Sequence, residues 1–415
     1  MKLKRYKRLF LCNLYSSITA ILFLFISYAI TNIGVSFSGE TEIIEQSNHY
    51  LGGLLSKNHP IPDSLLFVNI CYDKQLAEIC DEDGFPLGHI DITNRESLLR
   101  FLDILAQRND YKYVILDIFF KEGMTTEYDS ALYARIASME RITIPAVRGS
   151  QLACEEIIGK KAFLSDYTTT FFSSEYHKFE IGNKDQKSVP YHIYNTVTGN
   201  KHTSWGILHF DNGELCNRAL FAYPHIIPDG LYANDGSRNY YNLGCDLLID
   251  EEGLLNDKLL SGKYIFIGDM MLNDQHETVA GDMAGVVIVA NALISFLERQ
   301  HVIPLTVILT LYILYFIFAY QIFSYNSSFA RLVKWRSKKK ANKHHFLCLA
   351  LSWCTYSFTL SVVCLIFYYT YGVAYDILLT STLLQIPDYT VTHHTQIKNY
   401  LSIGTKKKNK KPIVE

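Results

Sequence analysis

The chain has 415 residues and a formal net charge of only −2, but that charge is segregated along the sequence. Residues 31–303 carry 21 basic against 38 acidic side chains, a balance of −17, while residues 1–8, 325–345 and 393–415 are basic. An acidic central segment excludes nucleic acid as its partner, and no Gly-x-Ser-x-Gly, Walker or Gly-x-Gly-x-x-Gly pattern is present to carry nucleophile-elbow, P-loop or dinucleotide chemistry.

Residues 1–8 hold five basic side chains and no acid, and residues 9–30 hold no charge. At about 1.5 Å per residue, a helix over 9–30 covers a hydrocarbon core of roughly 30 Å. No small-x-small cleavage pattern follows, so 9–30 reads as a signal anchor that stays attached, with 1–8 as a basic cytoplasmic end. The soluble segment, 31–303, is then expected outside the cytoplasm, periplasmic in a cell that has a periplasm, on a multi-pass protein of the inner membrane.

Residues 31–62 read as a polar stalk with one short helix over 41–55. Residues 65–70 (LLFVNI) form a first core strand that runs out at Asp73, and Gly84-Phe85-Pro86-Leu87 reads as a turn-rich loop. A helix follows, with Thr93 or Asn94 as its cap and Leu98, Leu99, Leu102, Leu105 and Ala106 as its apolar face. Residues 113–120 (YVILDIFF) are a near-continuous apolar run, the mark of a strand covered on both faces. Strand, helix, strand in that order favours a parallel pair. Asp117 stands late in the second strand, Asp129 opens the next helix, and 142–147 forms a third strand in which Pro145 implies a bend or an edge. Residues 162–240 read as β-rich, with a hairpin turning at Asp211-Asn212-Gly213. Residues 241–260 read as a helix feeding a buried strand over 263–268, followed by a polar loop over 269–282. A helix from Gly285 places Val286, Val289, Ala290, Leu293, Ile294 and Leu297 at spacings of three and four, with Asn291, Ser295 and Glu298 between them. Only residues 301–303 then precede Pro304, which suits the first turn of a further helix.

That helix is the second span, 304–324. A basic cytoplasmic loop, 325–345, separates it from a third span, 346–369. A fourth, 373–391, is shorter in its apolar part and carries Asp388; an aspartate at mid-span is disfavoured by about 2.5–3.5 kcal/mol. An even number of crossings keeps the Lys-rich tail, 392–415, on the same side as 325–345. The expected fold class is an α/β extracytoplasmic domain, with a mixed, partly parallel sheet flanked by helices and a β-rich insertion. Transmembrane α-helices, one N-terminal and three C-terminal, complete it.

Asp274-x-His276-x-Thr278, then Met283-Ala284-Gly285-Val286 and Ala290-Asn291-Ala292 ahead of a membrane helix, resemble the closing signature of the extracellular CHASE sensory domains, second type. Leu116-Asp117-Ile118-Phe119, Asp129-x-Ala131-Leu132, the Gly84 to Leu87 loop and an Asp-x-Gly turn followed by Arg218 extend the likeness. Ala284, Val289, Phe85 and Leu87 depart from it, standing where the family tends to carry Pro, His and two Trp. The resemblance implies a membrane sensor. Its members usually continue into an output module, for which the residues after 391 are too few, so a separate output protein is expected.

Asp73, Asp117 and Asp269 end strands and would gather at one edge of a parallel sheet, where α/β folds place ligands. Asp274 and His276 leave from that same edge, and Arg218 could receive an anion. The structural alternative is that these acids cap backbone N–H groups and order a loop. Asn291, Leu293, Leu297 and Pro304 are the residues expected to couple the domain to the bilayer. No catalytic residue, metal or cofactor is assigned: the ten histidines of 31–303 show no HxxxH, HxH or CxxC-type partner spacing. Five cysteines lie there, Cys71, Cys80, Cys154, Cys216 and Cys245, with Cys71 to Cys80 the one local bridge to consider. The expected function is a signal sensor passing a movement to its C-terminal spans. The alternatives are a membrane-anchored hydrolase using Asp117, Asp269 and His276, or a structural subunit of an envelope complex. Expected partners are the lipid bilayer, an extracytoplasmic ligand and a separate output protein, with a homodimer open and no nucleic acid.

Overall fold

The structure is a computed structural model describing residues 2–32, 40–55, 62–80, 85–147, 149–165, 178–182, 186–221, 223–226, 239–271, 274–327, 330–332, 334, 345–375 and 377–408. The chain divides into two compact units, one of Met1–Ile33, Phe37–Ile43 and Ile303–Glu415, the other of Gly34–Ser36 and Ile44–Val302. Helix α1 (Lys2–Thr31) belongs to the first, and α2 (Glu40–Leu55) leads into the second.

In the second unit, β1 (Leu65–Asn69) is buried at every position, as a strand covered on both faces must be. An antiparallel hairpin follows, β2 (Lys74–Cys80) with β3 (Pro86–Thr93). Asn94 caps α3 (Arg95–Arg108), its side chain accepting from the Ser97 N–H at 2.9 Å, and the chain returns through β4 (Tyr113–Leu116). Then come β5 (Met124–Thr125), α4 (Asp129–Ser138), β6 (Ile142–Ala146), the one-turn α5 (Glu155–Ile158) and β7 (Ala162–Leu164). Past β8 (Lys178–Glu180) and α6 (Val189–Thr198) lies a three-stranded meander, β9 (His202–Trp205), β10 (Leu208–Asp211) and β11 (Glu214–Cys216). The unit closes with β12 (Ala219–Phe221), β13 (Tyr240–Asn242), α7 (Glu251–Asn256), β14 (Tyr264–Gly268), the hairpin β15 (Gln275–Thr278) and β16 (Gly281–Ala284), and α8 (Gly285–Leu297).

Six strands form one parallel sheet in the order β13-β1-β14-β4-β6-β7. Alternate side chains of each strand take opposite faces. Leu66, Val68, Val114, Leu116, Ile265 and Ile267 pack under α3 and α4. Leu65, Phe67, Tyr113, Ile115, Tyr264 and Phe266 pack under α6 and α8. Each helical layer therefore has its own hydrophobic core, with the sheet between them. Every residue from Val286 to Phe296 is buried, which is the signature of a central helix rather than a surface one.

The approach of α8 to the sheet depends on Gly268, where an added Cβ would lie 2.9 Å from the Cβ of Val286. A Gly268→Ala chain is expected to lose about 1–3 kcal/mol through overpacking. A shift in the urea midpoint, with the slope unchanged, is the measurement that checks this.

Several expected elements take another form. Residues 241–260 do not make one helix: Tyr240–Asn242 is an edge strand of the sheet, followed by a π-turn over Leu243–Leu247 and the short α7. Of the expected loop at 84–87, Pro86 and Leu87 are the start of β3, in which Pro86 and Gly88 to Thr93 pair with β2; Gly84 lies outside the described residues. The polar stretch 269–282 contains most of the β15–β16 hairpin, and the β-rich stretch 162–240 contains α6. The second strand ends at Leu116, short of Phe120. Pro145 is on an interior strand, but β6 pairs with β4 only as far as Thr143, so the proline lies past the point where that neighbour needs its N–H. Cys71 is a free thiol. It precedes the seven-residue β2 that Cys80 ends, and about 3.3 Å per residue of extended strand carries the two beyond disulfide reach.

The first unit gathers α1, α9 (Leu305–Phe323), α10 (His345–Tyr371) and α11 (Ile377–Lys408). Among the described residues, three stretches are long and apolar enough to cross a membrane: Leu9–Thr31, Leu305–Phe323 and Leu349–Tyr371. They identify a membrane protein. Leu305, Leu309, Ile313 and Ile317 recur every four residues and are exposed, as are Phe358, Val362 and Ile366, apolar stripes of the kind lipid covers. Inside, Tyr315 and Ser27 share a hydrogen bond of 2.6 Å, and Tyr312 and Ser17 one of 2.8 Å. The fourth expected span, 373–391, is not among these helices. Helix α11 starts later, at Ile377, and turns Thr380, Ser381, Gln385 and Asp388 inward, so its hydropathy is that of a polar-cored helix.

Candidate functional site

All six strands of the sheet run the same way, so their carboxyl ends deliver chain to one edge. A cleft of about 640 Å³ opens there, the position where α/β sheets hold ligands. Ile70 follows β1, Asp269 follows β14, Asp117 follows β4, Pro145 and Val147 lie at the end of β6, and Ser165 follows β7. Gly285, Ile288 and Val289 from the first turns of α8 complete the wall with Asp274 and His276.

Two ion pairs organise the polar groups. Lys74 Nζ donates to Asp269 Oδ2 at 3.1 Å, with both side chains largely buried, and the Met271 N–H donates to Asp269 Oδ1 at 3.1 Å. His276 Nε2 lies 2.9 Å from Asp274 Oδ1, while the Asp274 carbonyl accepts from the Gly285 N–H at 2.9 Å. Gly285 is a close approach: an added Cβ would fall on the Asp274 carboxylate. The hydrogen bond that His276 donates to Asp274, and the charges of Asp274 and Asp117, raise the pKa of His276 against the opposing effect of burial.

Asp117 differs from the other acids because its carboxylate has no hydrogen bond or ion pair among the described residues, while its backbone N–H donates to the Ile267 carbonyl at 2.8 Å. Burial, and then the nearby charge of Asp274, push its carboxyl up to about 7, with His276 opposing. Since the folded value exceeds the ordinary 3.8, ionisation of Asp117 costs folded-state stability. The cost is absent below about pH 4 and complete above about pH 7. An Asp117→Asn chain is therefore expected to melt at a higher temperature than its parent near pH 8 and at the same temperature near pH 4. Thermal melts at the two pH values check the sign.

Of the six candidate ligand residues, four line the cleft: Asp117, Asp269, Asp274 and His276. Asp73 and Arg218 do not. The Asp73 carboxylate accepts from the Gly244 N–H at 3.1 Å, clamping the π-turn, and burial raises its pKa despite that bond and the charge of Lys74. Arg218 Nη2 donates to Glu180 Oε2 at 3.1 Å, tying the segment before β12 to β8. The coupling candidates also have structural partners. Asn291 Oδ1 accepts from the Ile226 N–H at 2.7 Å and its Nδ2 donates to the Ile226 carbonyl at 3.1 Å. Ser295 meets His225 at 3.1 Å. These two polar positions of α8 thus hold the 223–226 segment and do not face solvent. Leu293 is wholly buried, Leu297 packs against the same core, and Pro304 stands as the residue before α9.

Lys74, Thr93 and Ser165 line the cleft as well and were not anticipated. Lys74 adjoins Asp73 just beyond a core strand, which is the one signal that could have drawn attention to it. Among the described residues no group of three or more His, Cys, Asp or Glu is arranged to hold a metal ion. The chain matches no protein-family model, no curated protein and no solved structure.

Proposed function

We propose that the chain is a membrane-anchored sensor whose α/β unit receives a ligand in the 640 Å³ cleft and passes a displacement along α8 to the membrane helices. One observation carries this reading. Gly285, Ile288 and Val289 wall the cleft at one end of α8, and beyond the other end only residues 298–304 precede α9. A ligand that shifts α8 thus acts on an element joined to a candidate span by a short connection, the kind of differential contact a conformational signal requires.

The resemblance to the CHASE sensory domains, second type, supports the same reading. In it the α/β unit lies outside the cytoplasm of an inner-membrane protein, periplasmic where a periplasm exists. Helix α11 supplies a fourth crossing that brings 325–345 and 392–415 to the cytoplasmic side, as the bias of basic residues favours. Output then passes to a separate protein, for which the basic loop offers a docking surface.

Reporter fusions after Asp211 and at the carboxyl terminus test the topology: the first is expected outside and the second inside. A cytoplasmic Asp211 defeats the proposal. Asp274→Ala with His276→Ala is then expected to abolish output from the co-purified partner while membrane insertion persists. A hydrolase is the second reading, because a carboxyl near pH 7 beside an Asp–His pair is an acid–base set. Loss of turnover in the same double variant, with no partner output to lose, would favour it.

A further inference from the structure

We infer that the cleft takes a ligand bearing a primary ammonium group, received by Asp117, with the ligand's hydrocarbon part held on the apolar wall. This rests on the reading of the cleft as a ligand site and names the chemistry that site selects.

The charges in the cleft can be sorted by whether they already have partners. Lys74 is committed to Asp269 at 3.1 Å and His276 to Asp274 at 2.9 Å. Asp117 is left over, lining the cleft with no hydrogen bond or ion pair to its carboxylate among the described residues. An anionic ligand would meet three carboxylates, with both cations already paired. A neutral ligand would leave the Asp117 carboxylate without a counter-charge in a half-closed site. An ammonium group brings three donors and the missing charge, and charge-assisted hydrogen bonds of this kind are the stronger class. It would also relieve the repulsion between Asp117 and Asp274 that helps to raise the Asp117 pKa.

Ile118, Phe119, Val147, Ile288 and Val289 form an apolar surface beside these groups. A cleft of about 640 Å³ is within the range that buries an organic molecule of drug size. The ligand so described is amphipathic: cationic at one end, hydrocarbon at the other. Its apolar end would rest on Ile288 and Val289, which belong to α8, so the contact that selects the ligand and the contact that moves the helix are made by one molecule.

Calorimetric titration of the full-length chain in mild detergent, with phenethylamine, phenethyl alcohol and hydrocinnamate as probes, tests this. The three share a phenyl group on a short chain and differ in charge. At about pH 8 the amine is expected to bind at least about tenfold more tightly than the alcohol or the carboxylate, since a site built for a hydrogen-bonded charge rejects analogues lacking it. Lowering the pH to about 5.5 is expected to weaken the amine about tenfold as Asp117 takes up its proton. Asp117→Asn should bring amine and alcohol to equal affinity. Equal binding of amine and alcohol by the parent chain overturns the assignment, and that comparison stands even if the variant fails to fold. Retention of the amine preference by Asp117→Asn overturns it too, as does absence of amine binding at millimolar concentration. None of these outcomes touches the topology and output tests of the sensor reading, which use no amine.

Discussion

Replacing Asp129 with alanine is expected to destabilise the α/β unit by about 3–5 kcal/mol, the cost of stranding a buried charge. Arg95 is 3% exposed and Asp129 6%, and Arg95 Nε lies 3.5 Å from Asp129 Oδ1. The guanidinium also stands 4.5 Å from the centre of the Phe120 ring. Neither Nε nor Nη1 of Arg95 has a hydrogen-bond acceptor among the described residues. The charge of Asp129 and the face of Phe120 help to offset the burial, which is strong enough to lower the Arg95 pKa. Asp129 has a second task, accepting from the Thr126 N–H at 2.9 Å and from the Thr126 hydroxyl at 3.0 Å, so its loss also frees the turn that opens α4. Asp129→Asn keeps an acceptor for Thr126 and should cost less. Arg95→Met combined with Asp129→Ala removes both charges, and the pair is expected to be closer to the parent than Asp129→Ala alone. Urea titrations of the full chain, read as midpoint shifts, give the cycle. Additive single and double variants would mean that the two residues do not interact.

How far the sequence foretells this fold depends on how far apart the interacting residues lie. Strands β1, β4 and β14 are short apolar runs, and a run buried on both faces announces itself. The Asn212-Gly213 turn was equally legible: both residues have positive φ, 49° and 87°, as a tight hairpin between β10 and β11 needs. Helix α6 was obscured by Val, Ile, Tyr and Thr, which favour strands. Its boundaries were nevertheless written in the chain, with Pro190 in the first turn and Gly199 at φ 72° after the last. Strand β13 has only three residues and no alternation, and its place beside β1 depends on partners about 170 positions away. Nothing local foretells that β14 enters between β1 and β4.

The site divides along the same line. Asp117 and Asp269 reach the cleft because each directly follows a strand of the parallel sheet. Asp73 lies further beyond β1, after a turn, and its carboxylate swings to Gly244 instead. A lysine at the start of a strand reads as solvent-facing, so the pairing of Lys74 with Asp269 could be known only once the β2–β3 hairpin was seen to flank the cleft.

The second large effect is expected at Asp211, away from the cleft. Its side chain and that of His301 are both fully buried, with His301 Nε2 3.1 Å from Asp211 Oδ2. Tyr191 and Tyr194 donate to the carboxylate at 3.1 and 2.8 Å, and Asn200 donates at 3.1 Å. Phe296 and Tyr194 pack their rings against the His301 ring with centroids 5.2 and 5.1 Å away. The backbone is tied at the same place: the Asn217 N–H donates to the His301 carbonyl at 2.7 Å, and Cys216 bridges to Val302. Asp211 thus holds the segment after α8 against the β9–β11 meander. Asp211→Ala leaves three donors without their acceptor and takes the carboxylate from beside a buried imidazole, and is expected to cost about 3–5 kcal/mol. Burial acts to raise the Asp211 pKa, but His301, Tyr194 and Tyr191 outweigh it and hold the value at about 2, below the ordinary 3.8. A depressed carboxyl pKa stabilises the fold above the ordinary value, and that contribution is lost as pH falls through the folded one. The ionised carboxylate should therefore contribute on the order of 2 kcal/mol above about pH 4, fading toward pH 2. Asp211→Asn isolates that part, and its stability deficit against the parent should narrow over this window. Hydrogen exchange at residues 298–302 separates a local from a global effect: faster exchange there in Asp211→Asn, with β14 still protected, would show that the carboxylate fixes the segment through which α8 continues toward α9. Uniform loss of protection would instead make Asp211 a core residue of the whole unit.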